Sequence, residues 1–282
     1  MMVQERTRRA DAPANKLVNR YLSFDGQRLN ASAGAIEGAE VSPLADFVHA
    51  SFRGLILNPR FVCVAARSAF QRNNYRFSVY NHDLGTPEAA QQLASDLERF
   101  VSEQDTDLKE RGFSTFVASF AGPVTATETE FEQRLWDQLQ LLHETDSKRH
   151  EWDASVSADP EDAHFEFSVG GRAFFVVGLH PASSRLVRKF TFPTLVFNAH
   201  FQFDELRASG KFDRMQSVIR SRDLTLQGSI NPNLAHFGER SDARQYAGRS
   251  VEDGWKCPFH ALWASDGIDE LNHGTDAKDL NG

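Results

Sequence analysis

The chain predicts a single α+β domain, a mixed β-sheet with flanking helices, on three observations. Helix starts of the Ser/Thr-Pro or capping-box kind open three amphipathic stretches, at Ser42, Thr86 and Thr127. Short Phe- and Val-rich runs bounded by Gly, Asn or Pro supply the strands, with a hairpin across Gly170-Gly171 as the clearest pair. No linker divides the 282 residues, of which 40% are apolar and 25% charged, the composition of an ordinary globular protein.

In chain order, residues 1–16 are polar without apolar periodicity and read as a disordered arm. Ser42 caps a helix with Pro43 at its first position, and Leu44, Phe47, Val48, Phe52 and Leu55 recur at helical spacing until Asn58-Pro59 stops it. Phe61–Ala65 and Tyr75–Tyr80 read as strands around the polar Arg72-Asn73-Asn74 turn, with Cys63 buried in the first. Thr86-Pro87-Glu88 opens a second helix with a stripe of Leu93, Leu97, Phe100 and Val101, and Phe113–Phe120 follows as a strand. The pair Thr127 and Glu130 starts a third helix with Phe131, Leu135, Leu139 and Leu142 on its apolar face and His143 at that face's edge. Residues 145–163 are charged and irregular.

The stretch Gly171–Phe203 concentrates the functional signal. Ala173–Leu179 is a continuous apolar run, the pattern of a strand buried on both faces, and His180 falls at its end before Pro181 turns the chain. Arg185, Arg188 and Lys189 follow within one tight loop. A second run, Leu195–Phe197, leads to Asn198, His200 and Gln202; if it stays extended, Asn198 and His200 share a face. On the partner strand of the hairpin, Glu166 alternates with Phe165 and Phe167 and would sit on the polar face. Helical patterns recur around Phe203–Leu206 and Phe212–Arg222. Residues 228–249 are too rich in Asn, Gly and Arg for core, so they form either a functional loop or an Ω-like surface loop. The tail, residues 266–282, is again polar, leaving 17–265 as the folded domain.

Several function classes are excluded. With 31 basic against 39 acidic side chains the net charge is −8, which argues against nucleic acid and anionic membrane as partners. Two cysteines, Cys63 and Cys257, make neither a disulfide framework nor a four-cysteine metal site, and they suit a reducing cytoplasm. No apolar run reaches the ~20 residues of a membrane span, and there is no secretory h-region. Phosphate-binding glycine loops, CxxCH, HExxH and GxSxG are all missing. Cys257 and His260, at i and i+3, are half a metal site at most. The 23 Phe against 4 Tyr and 4 Trp suit either a Phe-rich core or the wall of a flat apolar pocket.

The blocks FVC at Phe61–Cys63, LQLLHETD at Leu139–Asp146, FEFSVGGRAFFVVGLHP, SRLVRKF, LVFNAHFQF, GSINPNL, ARQYAGR and WKCPF resemble the YqcI/YcgG family over roughly residues 40–260. That family includes heme-dependent N-hydroxylases of guanidino groups, such as the pre-guanitoxin N-hydroxylase and the arginine N-hydroxylase of cycloserine biosynthesis. The resemblance implies heme b, a small guanidino substrate such as arginine, dioxygen and an external electron donor, since no flavin or nicotinamide fingerprint is present. Non-covalent heme needs an imidazole or thiolate on iron, an apolar slot, and cations for its propionates. His180, His143 and His200 are the candidate metal ligands, with His180 ranked as proximal because a rigid strand end and Pro181 would hold it, and His200 as distal. Arg185, Arg188 and Lys189 are the candidate propionate cations. Glu166 is the candidate guanidinium partner, with Asn198 and Gln202 behind it. The alternatives are a non-catalytic heme carrier or sensor and a cofactor-free binding protein; the oligomeric state stays open.

Overall fold

Three helices begin where their local signals put them. In the computed structural model, which describes residues 17–31, 39–106, 112–233 and 238–261, α1 spans Pro43–Leu57, and the Ser42 hydroxyl accepts from the Ala45 amide at 3.1 Å. The second helix of this kind, Pro87–Gln104, is capped by Thr86, and the third, Glu128–Asp146, by Thr127, whose hydroxyl accepts from the Glu130 amide at 3.1 Å. The Glu130 carboxylate reaches back to the Ala126 amide at 2.9 Å, so the capping box satisfies amides on both sides of the cap. The expected N-terminal arm, residues 1–16, and the tail, residues 266–282, lie outside the described residues.

A seven-stranded mixed sheet is the centre of the domain. β1 (Leu17–Val18) and β4 (Glu40–Val41) form a separate parallel pair. The large sheet contains β2 (Leu22–Phe24), β3 (Leu29–Ala31), β5 (Tyr75–Tyr80), β6 (Thr115–Phe120), β7 (Phe167–Val169), β8 (Arg172–Leu179) and β9 (Thr194–Ala199), in the order β3-β2-β5-β6-β9-β8-β7. Only β5 and β6 run parallel within it. Gly170 and Gly171 both take positive φ, 64° and 70°, as the two-residue turn between β7 and β8 requires. The α+β expectation holds, with seven helices among the described residues.

Side-chain alternation divides the sheet into two environments. Phe174, Val176, Phe116, Phe120 and Phe197 face α3 (Pro87–Gln104) and α4 (Glu128–Asp146) in one dry core. Gly178 belongs to that face: a Cβ there would stand 2.6 Å from Phe131, so only glycine lets α4 lie this close. Phe77 and Val117 face α1 and α2 (Val64–Gln71) in a second core. The rest of this second face is roofed by α5 (His200–Ala208) and α6 (Phe212–Gln227), and the chain around α7 (Ala243–Tyr246) closes its edge.

Three local expectations are corrected. Phe61–Ala65 is not a strand, because Cys63 caps α2: its half-buried sulfur accepts from the Ala66 amide at 3.5 Å, and Ala65, Ala69 and Phe70 pack at helical spacing. The segment that opens with His200 is helix, so β9 stops at Ala199. Glu166 does lie opposite Phe165 and Phe167, but that face is no solvent face. Its carboxyl is 2% exposed, covered by α7.

Candidate functional site

A cavity of about 270 Å³ lies between the second face of the sheet and the helices α1, α2, α5 and α6. Its wall is mainly apolar: Phe175 and Val177 from β8, Val196 from β9, Phe52 from α1, Phe203 from α5, and Met215 and Ile219 from α6. The roof is lightly held. Along the 16 residues of α6 only Asp223 is buried, because its other inward side chains meet the cavity and not a packed core.

One end of the cavity is acidic. The Tyr246 hydroxyl lies 2.8 Å from Glu166 Oε2 and accepts from the Phe167 amide at 3.0 Å, which fixes the Glu166 carboxyl to its own strand. Asp242, at the start of α7, shares a carboxyl–carboxyl hydrogen bond with Glu166. Burial raises Glu166 to about 7; burial, with the Glu166 charge beside it, holds Asp242 well above the usual carboxylate range. The two carboxyls therefore hold protons more tightly than free carboxylic acids do. His200 faces this pair with Nδ1 3.4 Å from Glu166 Oε1, while its Nε2 is 3.3 Å from Asp204 Oδ2. Burial lowers the His200 pKa against the pull of Asp204. Arg207 completes the group, 2.7 Å from Asp204 Oδ1.

The other end is built on arginine. Arg185 pairs with Asp223 of α6 and also donates to Ser229 Oγ at 3.0 Å and to the Ser229 carbonyl at 2.9 Å. Arg188 donates to three carbonyls, those of Gly178, Gln245 and Tyr246, at 3.0 to 3.1 Å. Burial lowers its pKa to about 10, still cationic at neutral pH.

The structure gathers Glu166, Asn198, His200, Arg185 and Arg188 around this one cavity. The other sequence candidates lie elsewhere. His180 follows Leu179 on the opposite side of the sheet, where its ring stacks on Phe131 at 4.1 Å, and neither ring nitrogen has a hydrogen-bond partner among the described residues. It is 0% exposed, and burial lowers its pKa to about 4. Strand alternation thus removes it from the face that bears Arg185. His143 is on the same far side, edge-on to Trp152 and Phe259. Lys189 is exposed away from the cavity wall, and Gln202 spends its amide on Ser114, accepting from its amide at 2.6 Å and donating to its carbonyl at 3.0 Å.

Sequence reasoning missed Cys63, Asp242, Tyr246 and Arg207. For Asp242 and Tyr246 a signal existed: they lie in the 228–249 run, whose described part supplies Asn231, Asp242 and Gln245 to the cavity, the functional-loop alternative. Cys63 could not be read because its segment changes from strand to cap. Its thiol lines the cavity and burial raises its pKa.

The profile of the YqcI/YcgG family matches residues 52–260, a span that contains the whole cavity wall. The chain belongs to the YqcI/YcgG family. It is 30% identical to the uncharacterized protein YcgG of Bacillus subtilis over 213 residues, covering 72% of this chain and 81% of that one. Against the uncharacterized protein YqcI of the same organism it is 28% identical over 211 residues, covering 71% and 80%. No solved structure matches the chain. Family membership accounts for the order of the sequence blocks, and the fold explains it: blocks distant in the chain, FVC, LVFNAHFQF and ARQYAGR, all contribute to one wall.

Among the described residues, no three His, Cys, Asp or Glu side chains converge as a self-standing metal site, and no helix is long and apolar enough to cross a membrane. Heme asks for less, one axial donor and an apolar slot. The donor chemistry of the cavity fits it through the imidazole of His200, with phenylalanines and arginines on the same wall, whereas burial keeps the Cys63 thiol from becoming the thiolate that iron would need. The volume, about 270 Å³, falls just below that of ordinary ligand pockets, about 300–1,000 Å³, with the thinly packed α6 as its outer wall.

Proposed function

We propose that this chain is a heme-dependent oxygenase that N-hydroxylates a guanidino group, of arginine or an arginine-derived small molecule. The observation that carries the reading is the Glu166–Asp242 pair at the end of an apolar cavity, 3.4 Å from a histidine. A buried carboxyl with further acceptor capacity beside aromatic rings suits a planar cation with several N–H donors.

The roles of the side chains follow from their positions. Glu166 and Asp242 bind the guanidinium, Phe175 and Phe203 flank the cavity that receives it, and Tyr246 keeps Glu166 from turning away. A guanidinium must lose a proton before its nitrogen can react, and Glu166, raised to about 7, is matched to accept that proton near neutral pH. His200 stays mostly neutral and orients the carboxyl it faces. Bound heme supplies the activation of dioxygen. The overall change is balanced by an external donor: the nitrogen–hydrogen bond becomes N–OH, the second oxygen atom leaves as water, and two electrons and two protons are consumed.

The test is turnover. With hemin-loaded protein, a reductant, oxygen and a panel of guanidines, mass spectrometry is expected to show a product heavier by one oxygen on nitrogen. A stoichiometric Soret band with no oxidised product across the panel assigns the cavity to a heme carrier or sensor. Failure to bind hemin removes the heme reading.

A further inference from the structure

We propose that Arg220 is the anion-holding residue of this cavity, so that its ligand carries a carboxylate or a comparable anionic group. The inference rests on the reading of the cavity as a ligand site, and it adds a binding group outside the sequence candidates. Four arginines line the wall: Arg185, Arg188, Arg207 and Arg220. The first three are committed, to Asp223 and Ser229, to three backbone carbonyls, and to Asp204 respectively. Arg220 is half-buried and makes no hydrogen bond or ion pair with any described residue.

Its setting on α6 explains why a ligand anion is the natural counter-charge. Asp223, three residues on and one turn away, turns its Oδ2 to Arg185 and the Asn231 amide and makes no bond to Arg220. Those bonds also pin the helix next to Arg220, so its backbone position is set before a ligand arrives. Met215, Gln216 and Ile219, on the same inward side, offer no anion. A guanidinium partly withdrawn from water among apolar side chains gains most from a bidentate, charge-assisted contact. The cavity then reads as bipolar, with carboxyl groups at the Glu166 end and an uncommitted cation on its roof.

Two pairs of probes, each with an anionic and a neutral member, test this, and the porphyrin pair shares one scaffold. Hemin is compared with hemin dimethyl ester, and the anionic dye anilinonaphthalene sulfonate with the neutral dye Nile red, on the full chain by absorbance and fluorescence titration. Arg220→Gln is expected to weaken the anionic member of each pair by about tenfold to a hundredfold, to leave the neutral member within about twofold, and to be largely rescued by Arg220→Lys. The thermal midpoint should stay nearly unchanged, since the side chain makes no hydrogen bond or ion pair with a described residue that the substitution would break. Equal losses for charged and neutral probes, or no loss for either, overturn the proposal. If wild-type protein binds neither porphyrin while the dyes still separate, the anion subsite stands and the heme reading falls; if Arg220→Gln loses hemin and its ester alike, the subsite falls and the heme reading stands.

Discussion

Tyr246 and Glu166 are 80 positions apart in sequence and joined by a 2.8 Å hydrogen bond inside the fold. The bond ties α7 to the edge of the sheet and leaves Glu166 as a buried carboxyl whose proton affinity is raised by desolvation.

That shift has a sign that stability measurements can read. The Glu166 carboxyl loses its proton near its ordinary value of 4.5 in the unfolded chain but only near about 7 in the fold, so the folded state binds more protons between those limits. Stability from this group is therefore complete below pH ~4.5 and lost as pH rises towards ~7. Urea unfolding should show the wild type losing on the order of 3 kcal/mol across this window from this group, and Glu166→Gln should flatten that segment. An unchanged pH slope in Glu166→Gln would assign the titration elsewhere.

The histidines separate by face. His180→Ala and His143→Ala should lower stability by removing buried rings, ~2–4 kcal/mol each, while leaving the ferric hemin spectrum as in the wild type. Changes confined to the cavity wall, His200→Ala or Cys63→Ala, should alter the spectrum or the heme content. A spectrum lost in His180→Ala would restore the strand-end ligand that the sequence favoured.

Arg185 and Asp223 form an ion pair whose two members are 7% and 3% exposed. Removing one partner strands a buried charge, so Asp223→Ala should cost about 3–5 kcal/mol. The double variant Arg185→Met with Asp223→Leu should recover much of the loss in chemical denaturation. Additive losses would show that the pair is not coupled.

Gly178→Ala tests the close approach of α4. A Cβ 2.6 Å from Phe131 demands movement of a packed ring, and a cost of about 1–3 kcal/mol is expected in thermal or urea unfolding. A neutral result would mean that Phe131 and His180 shift together without loss.

Much of the fold was legible because its signals are local. Ser42-Pro43, Thr86-Pro87 and the Thr127–Glu130 box name their own helix starts, since a cap needs only the amides one turn away. Gly170-Gly171 named its hairpin for a similar reason. The Phe61–Ala65 reading failed because five apolar or small residues carry no period of their own. A cap at Cys63 and the packing of Ala69 and Phe70 decided for helix.

The sequence by itself determined the residue types that any site here could use, and it placed Glu166, Asn198, His200, Arg185 and Arg188 among them. Tertiary structure alone decided which of these meet. A strand sends alternate side chains to opposite faces, so His180 and Leu179, adjacent in sequence, are divided by the sheet. Asp242 and Tyr246 joined the site because the chain beyond α6 returns to cover the β7 edge. Such a meeting depends on chain paths separated by some 80 residues, and no local periodicity records it.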